Sequence, residues 1–242
     1  MRKLIIANWK MNPVSKNQAQ EIFNGIKKGV DGVAVEVVVC PPFVYLPLLN
    51  GLALGAQNCF WEEKGAFTGE VSAKMLKDLG AEYVIIGHSE RRKYFGETNE
   101  IINKKIKSAI EVELEQIFCV GETDQEREAG KQEEVVERQI KDGLKDVSDI
   151  LGMVIAYEPV WAIGTGKACG AKEAQEMKTF IEKVISGIYG KDVLKEVRIL
   201  YGGSVKSQNA AGYIKEAGYD GLLVGGASLD PEEFTKIIRS AE

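Results

Sequence analysis

The chain has 242 residues, 45% hydrophobic and 28% charged, enough to bury a sizeable core and unlike a disordered, collagenous or coiled-coil composition. Thirty-six acids against 31 bases leave a net charge of −5, so the basic stripe expected of a nucleic-acid binder is missing, although a local site can still take an anion. The longest apolar stretch, Val37 to Leu49, contains three prolines and falls short of the roughly 18 residues of a membrane span.

The first segment, MRKLIIANWK, has too few apolar residues before Asn8 for a signal peptide. It reads instead as a strand, LIIAN (4–8), followed by Trp9 and Lys10. Similar runs recur as VEVVVC (35–40), LALGAQN (52–58), YVIIGH (83–88), QIFCVGE (116–122), MVIAYEP (153–159), RILYGG (198–203) and GLLVGG (221–226). Each is short and nearly unbroken in apolar character, as strands of a parallel sheet covered on both faces must be. Amphipathic stretches lie between them. SERRKYF after His88 reads as a short helix, Ile101, Ile102, Ile106, Ala109 and Ile110 fall at helical spacing, and so do Ala174, Met177, Phe180, Ile181, Val184 and Ile185. Asp230-Pro231-Glu232-Glu233 has an N-cap acid and a proline at the first helical position.

Strand–helix alternation repeated about eight times, with no linker, predicts an α/β protein in one domain over residues 1–242: a single (β/α)8 TIM barrel. An open doubly wound sheet stays as the alternative, because alternation does not show closure. In a barrel the C-terminal strand ends share one face, and Asn8, Lys10, Asn58, His88, Glu122, Glu158, Ser204, Gly225 and Gly226 all lie at such ends.

Glu158 ends an apolar strand, where desolvation raises a carboxyl pKa toward general-base duty; a solvent-exposed acid or an ion-pair partner is the plainer reading. His88 is the only histidine. It is either a hydrogen-bonded structural residue or, beside a helix N-terminus, an imidazole held neutral. Lys10 stands out only by its position. Gly202-Gly203-Ser204 and Gly225-Gly226 suit either tight turns or phosphate approach by backbone N–H groups. GTGKACG (164–170) fits neither a Walker A nor a dinucleotide fingerprint and reads as part of a lid from Pro159 to Cys169. The four cysteines form no Cys-x-x-Cys pair, which argues for reduced thiols in the cytoplasm and against a metal site.

Several segments together carry a resemblance: Asn8-Trp9-Lys10, Ala56-Gln57-Asn58, Gly65 to Glu70, Gly87-His88-Ser89-Glu90-Arg91-Arg92, Cys119 to Glu122, Tyr157 to Lys167, Tyr201 to Ser204 and Val224 to Ala227. Over essentially its whole length the chain resembles the triosephosphate isomerase family. The resemblance implies interconversion of dihydroxyacetone phosphate and glyceraldehyde 3-phosphate with no cofactor or metal. It implies Glu158 as the base, neutral His88 as the electrophile, and Lys10 with Asn8 supplying positive charge and substrate contacts. Phosphate is then held at Gly164, Ser204, Gly225 and Gly226, with Ser89, Glu90 and Cys119 in support. It also implies a homodimer through the 65–70 loop, which sits in a connection of about twelve residues, longer than the usual βα loop. Ala168-Cys169 departs from the family's more usual threonine and alanine. A Schiff-base aldolase would need a lysine nucleophile inside the barrel, and a silent barrel would be expected to have lost Lys10, His88 or Glu158.

Overall fold

The computed structural model describes residues 1–163 and 169–242. Among these, the strands are β1 (Leu4–Asn8), β2 (Glu36–Cys40), β3 (Ala53–Ala56), β4 (Tyr83–Ile86), β5 (Glu115–Val120), β6 (Val154–Tyr157), β7 (Arg198–Tyr201) and β8 (Gly221–Val224). All neighbours run parallel, and β1 closes on β8 through Leu4 opposite Gly221 to Ala7 opposite Val224. That pairing removes the open-sheet alternative.

The strands read as continuous apolar runs because both faces are covered. On β1, Leu4 and Ile6 join an inner cluster with Val38, Ile85, Ile117 and Leu200, while Ile5 and Ala7 join the outer core under the helices. The strands stop short of the apolar runs that predict them: β3 ends at Ala56, β5 at Val120 and β8 at Val224. The polar tails of those runs are therefore loop residues at the barrel mouth.

The helices are α1 (Lys16–Gly29), α2 (Ala73–Asp78), α3 (Ser89–Phe95), α4 (Asn99–Glu111), α5 (Asp124–Glu128), α6 (Gln132–Gly143), α7 (Ala171–Tyr189), α8 (Ser207–Ala211) and α9 (Pro231–Arg239). Their starts follow local chemistry. Ser15, Ser72 and Thr98 each accept a backbone N–H of the first turn, and Asp230 accepts those of Glu232 and Glu233 ahead of α9. Of the apolar stripe expected on α4, Ile102, Ile106 and Ala109 are buried and Ile101 and Ile110 half-buried at its edges; on α7, Ala174, Met177, Ile181, Val184 and Ile185 are buried and Phe180 half-buried. No helix among the described residues is long and apolar enough to cross a membrane.

Candidate active site

The ends of β1, β4, β6, β7 and β8 surround a cavity of about 280 Å³ whose lining includes Asn8, Lys10, His88, Glu158, Ser204, Gly225 and Gly226. Two strand-end residues from the sequence reading lie elsewhere. Asn58 accepts a hydrogen bond from the buried Lys105 Nζ at 2.7 Å. Glu122 is fully buried and accepts from Arg127 Nη1 at 3.0 Å, Tyr157 Oη at 3.0 Å and Trp161 Nε1 at 2.9 Å. It anchors the start of the segment after Glu158 rather than facing the cavity.

Lys10 has a φ of 54°, an uncommon left-handed conformation for a residue with a side chain. Hydrogen bonds hold it there. Its N–H donates to Asn8 Oδ1 at 3.0 Å, and its carbonyl accepts from Gln57 Nε2 at 2.8 Å. The turn aims the ammonium at Glu90, with Nζ 2.5 Å from Oε1. Asn8 is thus a brace for Lys10 as well as a wall of the cavity.

His88 caps α3, its Nδ1 accepting the Glu90 N–H at 3.3 Å. A nitrogen that accepts carries no proton, which leaves the ring N–H on Nε2. Nε2 lies 2.9 Å from Glu158 Oε1.

Glu158 follows β6 directly and is 1% exposed. Its backbone N–H donates to the Val120 carbonyl at 2.8 Å, and its Oε2 accepts the Ser89 N–H at 2.8 Å. Among the described residues Oε1, despite its closeness to the imidazole, has no aligned hydrogen-bond donor. Burial pushes the Glu158 pKa up, as expected from the strand end, but the facing imidazole, the Ser89 N–H and Lys10 outweigh it and hold the carboxyl below its usual range. The sequence expectation of a raised value is therefore corrected: burial was legible, the donors were not. The expectation of a depressed His88 is corrected in the same way. Burial disfavours its charge, but the Glu158 carboxylate more than offsets this and raises its pKa.

Cys119, on β5, is fully buried; burial first, then the Glu158 carboxylate, push its thiol well up, so it packs beside Glu158 as a neutral group. The glycines differ in what requires them. A Cβ on Gly203 would stand 2.3 Å from Tyr201 Oη and would force a shift there, whereas one on Gly202, 3.2 Å from Glu158 Cγ, would crowd the Glu158 side chain by a few tenths of an ångström. A Cβ on Gly226 would meet nothing within 4 Å among the described residues. Ser204 Oγ donates to the Ala162 carbonyl at 2.7 Å. Gly164 and the lid stretch through Ala168 lie outside the described residues.

Sequence reasoning missed a buried charge cluster beside the site. Glu97 Oε1 is 2.5 Å from both Arg91 Nε and Lys105 Nζ. Nothing in local spacing announces it, because Lys105 lies on the far side of the turn between α3 and α4.

A family profile described as triosephosphate isomerase matches residues 3–241. The chain is 51% identical to the triosephosphate isomerase of Dictyoglomus turgidum, over 99% of both chains. It is 52% identical to that of Alkaliphilus oremlandii, over 98% of this chain and 99% of the relative. With the Citrifermentans bemidjiense triosephosphate isomerase it shares 51% identity over the whole of both.

Proposed function

The chain belongs to the triosephosphate isomerase family, and from that premise we propose that it interconverts dihydroxyacetone phosphate and D-glyceraldehyde 3-phosphate through an enediolate, a step of glycolysis and gluconeogenesis. The observation that carries the reading is the Glu158–His88 pair: a buried carboxylate oxygen with no aligned donor among the described residues, 2.9 Å from an imidazole Nε2, opening on a cavity with Lys10 on its wall. Moving a proton between carbons beside a carbonyl needs a base, an oxyanion partner and exclusion of water. Glu158 is the base that carries the proton, His88 Nε2–H polarises the carbonyl, and Lys10 with Asn8 stabilises the oxyanion.

The resting pair explains how both groups reach their working states. A substrate carbonyl set between them separates carboxylate from imidazole. His88 then loses the influence that raises its pKa and keeps burial and the α3 N-terminus, which favour the neutral donor. Glu158 loses the influence of the imidazole, so burial moves its pKa up from the resting value, against the Ser89 N–H and Lys10 that remain. Phosphate sits against Ser204, Gly225 and Gly226, with Gly164 as a further contact; Ser89 and Glu90 hold Glu158 and Lys10 respectively. The described strands carry no lysine, which disfavours a Schiff-base aldolase. Purified protein is expected to interconvert the two triose phosphates in a coupled dehydrogenase assay; no interconversion from either side would reject the reading.

The same proposal includes a homodimer. The 60–71 connection is closed at its base by the Phe60 N–H on the Val71 carbonyl at 2.8 Å. Its tip residue Phe67 is 43% exposed. A second cavity of about 270 Å³ adjoins Lys10 and is walled by Met11, Phe43, Gln57 and Phe95. A second copy's 65–70 loop fits that cavity, bringing Thr68 near Lys10 and Asn8. Light scattering should give a dimer, and a fully active monomer at assay concentration would count against it. The four cysteines are all free thiols, which supports a reducing, cytoplasmic setting.

A further inference from the structure

The chain leaves the barrel just after β5, and three successive residues there find three different partners. The Cys119 carbonyl accepts from Arg92 Nη2 at 3.2 Å. The Val120 carbonyl accepts the Glu158 N–H at 2.8 Å. Gly121 bonds to the side chain of Gln139 on α6: its N–H donates to Oε1 at 2.8 Å and its carbonyl accepts from Nε2 at 3.0 Å. One primary amide thus closes both bonds that a neighbouring strand would otherwise supply.

Gly121 is also pressed against the residue that carries the carboxylate. A Cβ at position 121 would lie 1.7 Å from the Glu158 carbonyl oxygen and 3.2 Å from its Cα. Two backbone bonds flank this contact, from Glu158 N–H to Val120 and from Val160 N–H to the Glu122 carbonyl at 3.1 Å. Any displacement of 120–122 therefore moves Glu158. Gln139 is itself buried and does not line the cavity that holds Glu158 and His88.

We propose that Gln139 is a positioning residue for the reaction: its bidentate bond to Gly121 sets the placement of the base Glu158 from the helix layer, without contact with substrate. The inference rests on the reading of Glu158 as the base. The chemistry of the position is restrictive. The site needs one donor and one acceptor on a side chain of this length, which glutamine supplies, ionised glutamate half supplies, and methionine does not.

The test uses full-length Gln139→Met and Gln139→Glu beside wild type, each checked for folding by circular dichroism and thermal denaturation. In Q139M, kcat should fall about tenfold or more, since misplacement of a reacting group by ~1 Å can cost ~10² in rate. KM should stay within about twofold, because the phosphate-facing glycines sit on the β7 and β8 side, away from Gly121. In Q139E an ionised carboxylate repels the Gly121 carbonyl, whereas the protonated acid donates to it and accepts from the N–H. The kcat of Q139E relative to wild type should therefore rise as pH falls, while that of Q139M stays flat; a merely structural loss would not follow the charge on residue 139. Wild-type kcat and KM in both variants would overturn the proposal. So would kcat and KM changing in parallel, or a Q139E ratio without pH dependence. If Q139E does not fold, the split between kcat and KM in Q139M decides alone. An inactive wild type would instead reject the isomerase reading and leave this inference without its premise.

Discussion

The two ends of the barrel both gather charged groups around buried side chains, and they use them differently. At the N-terminal end, Arg198 opens β7 and reaches across to residues that open three other strands. Its Nη1 lies 2.6 Å from Glu36 Oε2, and its Nη2 lies 3.2 Å from both Glu115 Oε2 and the Tyr83 hydroxyl. Tyr83 in turn donates to Glu36. Among the described residues this cluster leaves no buried orphan. At the C-terminal end, Glu158 keeps one oxygen without an aligned donor among the described residues, and the Lys10 ammonium rests on a Glu90 that is itself partly exposed. A closed set of partners holds strands in register; an unclosed one retains bonding capacity for an incoming molecule. The unclosed set is tolerable because the incomplete bond belongs to a pair that is otherwise well held.

The comparison can be broken by substitution at either end. The largest effect is expected from Glu158→Asp, which withdraws the carboxylate by about 1 Å and should slow isomerisation by ~10²-fold with the fold intact. Steady-state kinetics and circular dichroism check this, and near-normal turnover would place the base elsewhere.

At the opposite end, Arg198→Met should cost about 2 kcal/mol of stability in urea denaturation, because Glu36, Glu115 and Tyr83 lose their shared cation. The figure falls below that of a fully buried pair because the Glu115 side chain is 45% exposed. Isomerase activity at 25 °C should be unchanged. A matching loss of kcat would mean that the two ends are not independent.

The lone histidine allows a direct reading of the Glu158–His88 pair. In wild type, the His88 imidazole signals should titrate above the ordinary 6.5; in Glu158→Gln, where burial and the α3 N-terminus remain without the carboxylate, they should titrate below it. Stability follows the same signs. The lowered Glu158 contributes stability above its unfolded pKa of about 4.5 and loses it as pH falls through the lower folded value. The raised His88 contributes below about 6.5 and loses it as pH rises through its folded value. Wild type should therefore exceed E158Q most between about pH 4.5 and 6.5, with the gap narrowing on both sides. A gap independent of pH would show that the pair is not coupled.

The smallest effect is expected from Glu115→Gln. Burial, reinforced by Glu36 and Glu82, raises the Glu115 carboxyl pKa despite Tyr83 and Arg198. An acid with a raised folded pKa binds its proton more tightly when folded, so its charge weakens the fold as pH rises through that value. E115Q should match or exceed wild type at pH 7, by under about 0.5 kcal/mol. A loss beyond ~1 kcal/mol would show that Arg198 needs both carboxylates.

Local chemistry made much of this molecule readable. LIIAN announces a strand covered on two faces because Leu4 and Ile6 pack inward while Ile5 and Ala7 pack outward. Asp230-Pro231 announces α9 because an N-cap needs only its own first turn. Lys10, His88 and Glu158 stood out because each ends or just follows an apolar run, and parallel strands bring their ends to one face.

What could not be read depends on residues far apart in the chain. Arg198 meets Glu36 across 162 positions, and Gln139 meets Gly121 from α6, 18 residues further along the chain. The protonation of Glu158 shows the division most clearly. Desolvation is a property of a residue within its own strand and was legible, whereas the imidazole and the Ser89 N–H that reverse its effect come from β4's end, 69 or 70 residues away in the chain. Amphipathic period, capping and strand-end polarity are encoded over a few residues and belong to the sequence alone. Partner choice, pKa direction and the bonds around Glu158 are set by barrel closure, because electrostatics and hydrogen bonding act over a few ångströms of space whatever the separation along the chain.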